Sequence, residues 1–316
     1  MKNIEKWEDC KDQYILNNNF MLLRADEAEY GIHYAIYSQV DEELSYNWDY
    51  ISHYSDGDDC QRFWIMKDNK RLGGVIIEPN YLSHFFIEPP YTSALFDIVK
   101  ELDNALMSWA SKDEETYIYG IKPKHVELFN KVGYRHRFIR KPMIRPTEIF
   151  TDIDWSEDFI LKTPSMEDAI EIGRVLHESY KGGVQYEEFS NNSLEDEIEI
   201  CQMFLQRYID TNSLHASTLV YDKKTSKLAA VCLAGKYTGF QYNFSKINDL
   251  AVLPAYRHQG LGEKLIKRTL TILKDISPAV KLDVSVGNDA ESLYYKMGFL
   301  SGPKMIALYK KSPKLL

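Results

Sequence analysis

Apolar positions recur along this chain with two periods, one of about two residues and one of about three and a half. Segments 62–67, 71–78 and 81–87 are rich in β-branched and aromatic residues and predict three consecutive strands. A helical repeat covers about 93–109, a strand follows at 116–121, and a short helix ends at Val132. The same order then returns. Segment 159–161 predicts a strand, Thr163 or Ser165 is placed to cap a helix with an acidic first turn, and Ser193 is placed to cap a second helix over about 194–209. Strands at 216–222, 227–236 and 244–252 come next, then a helix carrying the apolar stripe Leu261, Leu265, Ile266, Thr269, Leu270, Ile272 and Leu273. A strand at 280–286 and a short helix through Tyr294 complete the series.

The return is a repeat. Leu128 to Tyr134 lines up with Leu293 to Phe299 at an offset of 165 positions (294 − 129), and three of the seven residues are identical. With 316 residues the chain suits two domains, so the boundary is expected in the linker 145–155, close to Asp152, giving domains 1–151 and 152–316.

Chemistry concentrates in the second copy. Asp249, Leu250, Ala251 and Val252 end an apolar strand that runs through Pro254 into Arg257, His258, Gln259, Gly260, Leu261 and Gly262, where the next helix opens. Two glycines let the backbone approach a phosphate, Arg257 supplies a cation, and the helix start offers free N–H groups. The chain has no G-x-x-x-x-G-K-[ST] motif, and the loop is not G-x-G-x-x-G, which disfavours a nucleotidase and a dinucleotide fold.

What remains resembles the R-x-x-G-x-G acyl-CoA loop of the GCN5-related N-acetyltransferase (GNAT) family. Ala290, Leu293, Tyr294, Gly298 and Phe299 resemble the family's second signature, N-x-x-A-x-x-L-Y-x-x-x-G-F. One departure is that Asn288 stands one residue closer to Tyr294 than the family spacing, with Gly287 in the expected register, so its cofactor contact is weakened. The resemblance implies an α/β (α+β) fold of two tandem GNAT-like domains, each a mixed, mostly antiparallel sheet flanked by helices, with a splayed parallel strand pair. It implies acetyl-CoA (coenzyme A) held by the unpaired main chain of Leu250, Ala251 and Val252 and by the loop. A backbone N–H near Val252 would polarise the thioester carbonyl.

Tyr294 is the expected general acid for the departing thiolate. The position where some family members carry a catalytic Glu holds Lys246, so Asp249 is the expected base, with a strand-end structural role equally open; His177, Glu178 and His215 are weaker candidates. The loop 180–188, with Tyr180, Tyr186, Glu187 and Glu188, is where a cationic amine acceptor would lie. The first copy has Glu88, Pro89 and Pro90 in place of the loop and Phe129 in place of Tyr294, and so is expected to be degenerate: structural or substrate-shaping, without a CoA loop.

Composition narrows the partners. A net charge of -9 and a pI near 5.5 argue against nucleic acid and suit an amine-bearing small molecule or peptide. No long apolar run and no signal-peptide core appear, so no membrane and a cytoplasmic location are expected. Cys10, Cys60, Cys201 and Cys232 have no motif spacing and read as reduced thiols; no metal is implied, and a homodimer is compatible with the sequence. Two rival readings stand beside the N-acetyltransferase: a non-catalytic acyl-CoA-binding regulator, and an aminoacyl transferase on a doubled fold.

Overall fold

The alternating and helical patterns form elements close to their expected limits. In a computed structural model, residues 4–37, 61–111, 113–181, 183–184, 193–237 and 244–311 are described. In chain order they form β1 (Gln13–Ile15), β2 (Phe20–Arg24), α1 (Glu27–Tyr37), β3 (Arg62–Lys67), β4 (Lys70–Glu78), β5 (Tyr81–Ile87), α2 (Leu95–Trp109), β6 (Thr116–Ile121), α3 (Pro123–Lys131) and β7 (Arg135–Pro146). Then come β8 (Phe159–Lys162), α4 (Ala169–Tyr180), α5 (Leu194–Asp210), β9 (Thr218–Asp222), β10 (Leu228–Lys236), β11 (Ser245–Val252), α6 (Leu261–Leu273), β12 (Ala279–Ser285), α7 (Ala290–Lys296), β13 (Leu300–Ser301) and β14 (Met305–Lys310).

Contacts divide the chain into Met1–Ile139 with Pro303–Leu316, and Arg140–Gly302. This differs from the expected cut at Asp152. The reason is β7, a strand that the Arg- and Pro-rich segment 135–146 conceals: its residues 140–146 pair with β12 over the whole register from Ser285↔Arg140 to Ala279↔Pro146, and buried Met143 joins the second unit's core. Conversely β14, near the C-terminus, pairs with β6 of the first unit.

In the first unit the strands run β1-β2-β3-β4-β5-β6-β14, antiparallel except for the parallel pair β5·β6. In the second they run β7-β12-β11-β10-β9-β8, antiparallel except for β11·β12. Each sheet is mixed, mostly antiparallel and helix-flanked, the α/β (α+β) class expected.

Two cores lie on opposite faces of the second unit's sheet. One holds Leu261, Leu265, Ile266 and Leu270 of α6 with Tyr294 and Phe299; the other packs α4 and α5 through Ile172, Leu176, Cys201, Leu205 and Tyr208. Gly173 allows the close approach of α4 and α5, since a Cβ there would stand 2.7 Å from Ile198. Ser193 caps α5 in a reciprocal capping box with Asp196, and Ser165 makes the same box with Asp168 at the entry to α4.

Cys201 and Cys232 are free and buried, whereas Cys10 is disulfide-bonded, which corrects the expectation of four thiols. Spacing along a chain does not reveal which cysteines meet in space. Among the described residues no helix is long and apolar enough to cross a membrane.

Candidate active site

The site begins with a strand that parts from its neighbour. Among the described residues β11 and β12 pair only at Ser245↔Val280 and Lys246↔Lys281, after which β11 continues without a partner strand on that side. On its other edge it stays with β10, and Leu253 N–H bonds Ala229 O at 2.9 Å. Antiparallel pairing alternates, so Ala251 turns its main chain toward Val231 of β10, while Leu250 and Val252 turn theirs into the split. Leu250 and Val252 therefore offer main-chain groups to a ligand and Ala251 does not, a correction to the expected trio.

A β-bulge aims the acidic residue. The β10·β11 register shifts between Leu233 and Ala234, inserting Asn248 into β11. Ile247 and Leu250 both join the core under α6 while Ala251 joins the core under α4 and α5. Alternation from either side then puts Asn248 and Asp249 on the α4/α5 face.

There Asp249 Oδ1 accepts a hydrogen bond of 2.9 Å from the Tyr180 hydroxyl. Burial pushes its carboxyl up to about 6, against the lowering effect of that bond, with the negative charge of nearby Glu197 adding to the rise. Burial, Asp249 and the hydrogen bond to it push the Tyr180 phenol well up. Glu197 sits one turn before Cys201 on the buried stripe of α5. Glu197 was not among the candidates expected, although a carboxylate at an apolar-stripe position is a signal. Asn248 carries no such signal, and its buried Oδ1 has no hydrogen-bond partner among the described residues.

Tyr294 occupies the opposite wall. It is buried on α7, its ring meets Phe299 edge-on at 5.9 Å, and burial, Cys232 and Asp249 push its phenol up. Tyr294 and Asp249 are thus brought within electrostatic range of one another, from α7 and from the bulge. Lys246 pairs with Asp283 at 2.8 Å, which ties down that side chain. His215 and Glu178 are exposed, and the side chains of His177, Glu178 and His215 form no hydrogen bond among the described residues.

The loop after β11 is built as an anion cradle by its backbone. His258 and Gly260 both take left-handed conformations (φ 63° and 75°), Gly260 caps α6, and no side chain satisfies the first amides of that helix. Gly262 lets α6 approach α7, a Cβ there lying 3.2 Å from Leu293.

Two residues depart from expectation. Arg257 donates through Nε to Val252 O (3.2 Å) and through Nη2 to Ser179 O (2.7 Å), so it ties the loop to the ends of β11 and α4. Asn288 Oδ1 accepts from the Ala290 N–H (2.8 Å) and so is engaged locally at the entry to α7. Within the expected acceptor loop, Gly182 and residues 185–192, including Tyr186, Glu187 and Glu188, lie outside the described residues. Among the described residues no cluster has metal-ligand composition.

Comparison with known proteins agrees with this fold. Residues 184–299 match the model of the acetyltransferase (GNAT) family. No curated protein matches the chain in sequence. Among solved structures the chain is similar to a GCN5-related N-acetyltransferase from Sphaerobacter thermophilus, with 15% identity, 94% of this chain and 96% of that one covered, and a TM-score of 0.67. It is also similar to a tandem GNAT protein of the clavulanic acid biosynthesis pathway, solved without AcCoA (11%, 93% and 98%, 0.56), and to a GNAT-family acetyltransferase from Colwellia psychrerythraea (10%, 92% and 99%, 0.54). At such identities what is shared is the fold.

Proposed function

We propose that this chain, which carries a GNAT acetyltransferase domain within its second unit, is an N-acetyltransferase that moves an acetyl group from acetyl-CoA to a primary amine of a small molecule or peptide. The observation that carries the reading is the convergence on one strand split of the outward main chain of Leu250 and N–H of Val252, the raised carboxyl of Asp249 and the buried phenol of Tyr294.

The donor substrate fits these parts. Its amide-bearing arm can add beside β11 through the outward groups of Leu250 and Val252. Its diphosphate suits the amides from His258 to Gly262, which Gly260 leaves uncapped by any side chain. The Val252 N–H is the donor for the thioester carbonyl as charge builds on its oxygen, a contact whose loss costs on the order of 3 kcal/mol.

The proton traffic follows from the two environments. An attacking amine must be neutral, and a carboxylate with a pKa near 6 is ionised at neutral pH yet basic enough to accept its proton. Tyr294, whose phenol is held protonated by burial, donates to the departing thiolate. The bond broken is carbon to sulfur, the bond formed is carbon to nitrogen, and the proton count balances through these two residues.

Acetyl-CoA consumption measured across polyamines, aminoglycosides, amino acids and peptides tests the reading. Turnover with at least one amine is expected, falling about 10²-fold or more in Tyr294→Phe. Acetyl-CoA binding without turnover would establish the regulator instead, and dependence on charged tRNA the aminoacyl transferase.

A further inference from the structure

The first unit repeats the strand split and lines it differently. β5 and β6 pair in parallel only from Tyr81↔Tyr117 to Ser83↔Tyr119 and then part. On its far edge β5 stays with β4: Glu88 N–H bonds Leu72 O at 2.8 Å, and Phe86 stands opposite Gly74 in the same register. Alternation turns the N–H and C=O of Ile87 into the split, as it does for Val252, 165 positions on (252 − 87). In β6 Gly120, just past the last paired residue, has φ +72°, and a Cβ built there meets nothing within 4 Å.

Because the strands are parallel, their carboxyl ends open side by side, the usual place for a ligand in such a pair. At that end of β6 stands Lys122, which is 8% exposed and whose Nζ is buried with no hydrogen-bond partner among the described residues. One turn into α3, His125 is 7% exposed and its Nδ1 is equally unpartnered. The His125 ring meets Phe85 of β5 edge-on at 5.5 Å, and Phe85 meets Phe129 at 5.8 Å, so these rings hold α3 against β5 beside the split. Two buried nitrogens left unpaired among the described residues are costly, of order 1–3 kcal/mol each, unless something supplies their partners.

We propose that the open end of the β5·β6 split is a second ligand site, for a carboxylate one residue away from an amide. A peptide's free C-terminus and a small N-acylamino acid share that chemistry. Lys122 Nζ and the His125 ring N–H would each take one carboxylate oxygen, while the Ile87 N–H and C=O pair with the amide as an added strand. Phosphate suits the site poorly, because Glu88, Pro89 and Pro90 follow Ile87 where the second unit has its amide cradle. Burial together with Lys124 pushes the Lys122 amine down to about 7 and, with Lys122 adding to the effect, the His125 imidazole down to about 4. A bound carboxylate would reverse both shifts.

Calorimetric titration of the full chain with N-acetyl-dialanine and with its C-terminal amide tests this site apart from acetyl transfer. The acid is expected to bind at least tenfold more tightly than the amide. Lys122→Met should abolish that preference and leave acetyl-CoA binding in the second unit unchanged; Lys122→Gln serves should the first variant fail to fold. A decapeptide ending in the same two residues separates the sources: binding as tight as the dipeptide identifies a chain terminus, and exclusion a small N-acylamino acid. Equal binding of acid and amide, no binding of either, or a preference that survives both substitutions would overturn the proposal.

Discussion

At the scale of the residue, Asp249 shows how one side chain can be tuned at the expense of the fold. Its carboxyl is raised from 3.8 to about 6 because burial disfavours its charge more than the Tyr180 hydroxyl favours it. The folded state therefore holds the proton more tightly than the unfolded one, and stability is lost as pH rises through about 6. The log of kcat/KM for the amine should climb with pH up to about 6 through this group, and Asp249→Asn should remove that limb together with most of the turnover. The same variant, which keeps an acceptor for Tyr180, should gain thermal stability at pH 8, by on the order of 2–3 kcal/mol from the shift of about two pH units. Unchanged melting would show that the carboxylate is not desolvated. Asp249 was legible in the sequence as a strand-end carboxylate. Its poise was not, because it depends on Tyr180, 69 positions away, and on Glu197 from a third element.

Elements were the most legible level, since caps and periodicity are local. The strand 81–87 and the strand 116–121 lie where the pattern of branched and aromatic residues placed them. Ser193 caps its helix as its position foretold. Ser193→Ala should cost about 1 kcal/mol, read as a fall of a few degrees in Tm, with kcat largely kept because the packing of α5 through Cys201, Leu205 and Tyr208 still holds the helix in place. The bulge at Asn248 was hidden: an inserted residue in a strand carries no compositional mark, yet it decides which face Asp249 addresses. β7 was hidden for a different reason. Six Arg, Lys and His residues in twelve read as surface or linker, and only the pairing with β12 and the burial of Met143 make a strand of them.

For the molecule as a whole, the informative fact is how the chain is shared out. Strand β14 belongs with the first 139 residues, and residues 140–146 belong with the second unit. A fragment of residues 140–302 should therefore fold alone, giving a dispersed NMR spectrum and a cooperative melt. A fragment starting at 152 should not, because β12 would lose its β7 partner and the core its Met143. Removing residues 303–316 should unfold the first unit selectively. Cooperative melting of the 152–316 fragment would show that the terminal strands are dispensable.

The same threading sets an order of completion. As the chain leaves the ribosome, everything the second unit needs has been made by residue 302, while the first unit still lacks the strand that pairs with β6. The half that is synthesised first is thus the half finished last. Until Met305–Lys310 arrive, that edge of β6 stands open, so nascent molecules stalled between these two points should be the ones that chaperones hold and that neighbouring chains are most able to capture.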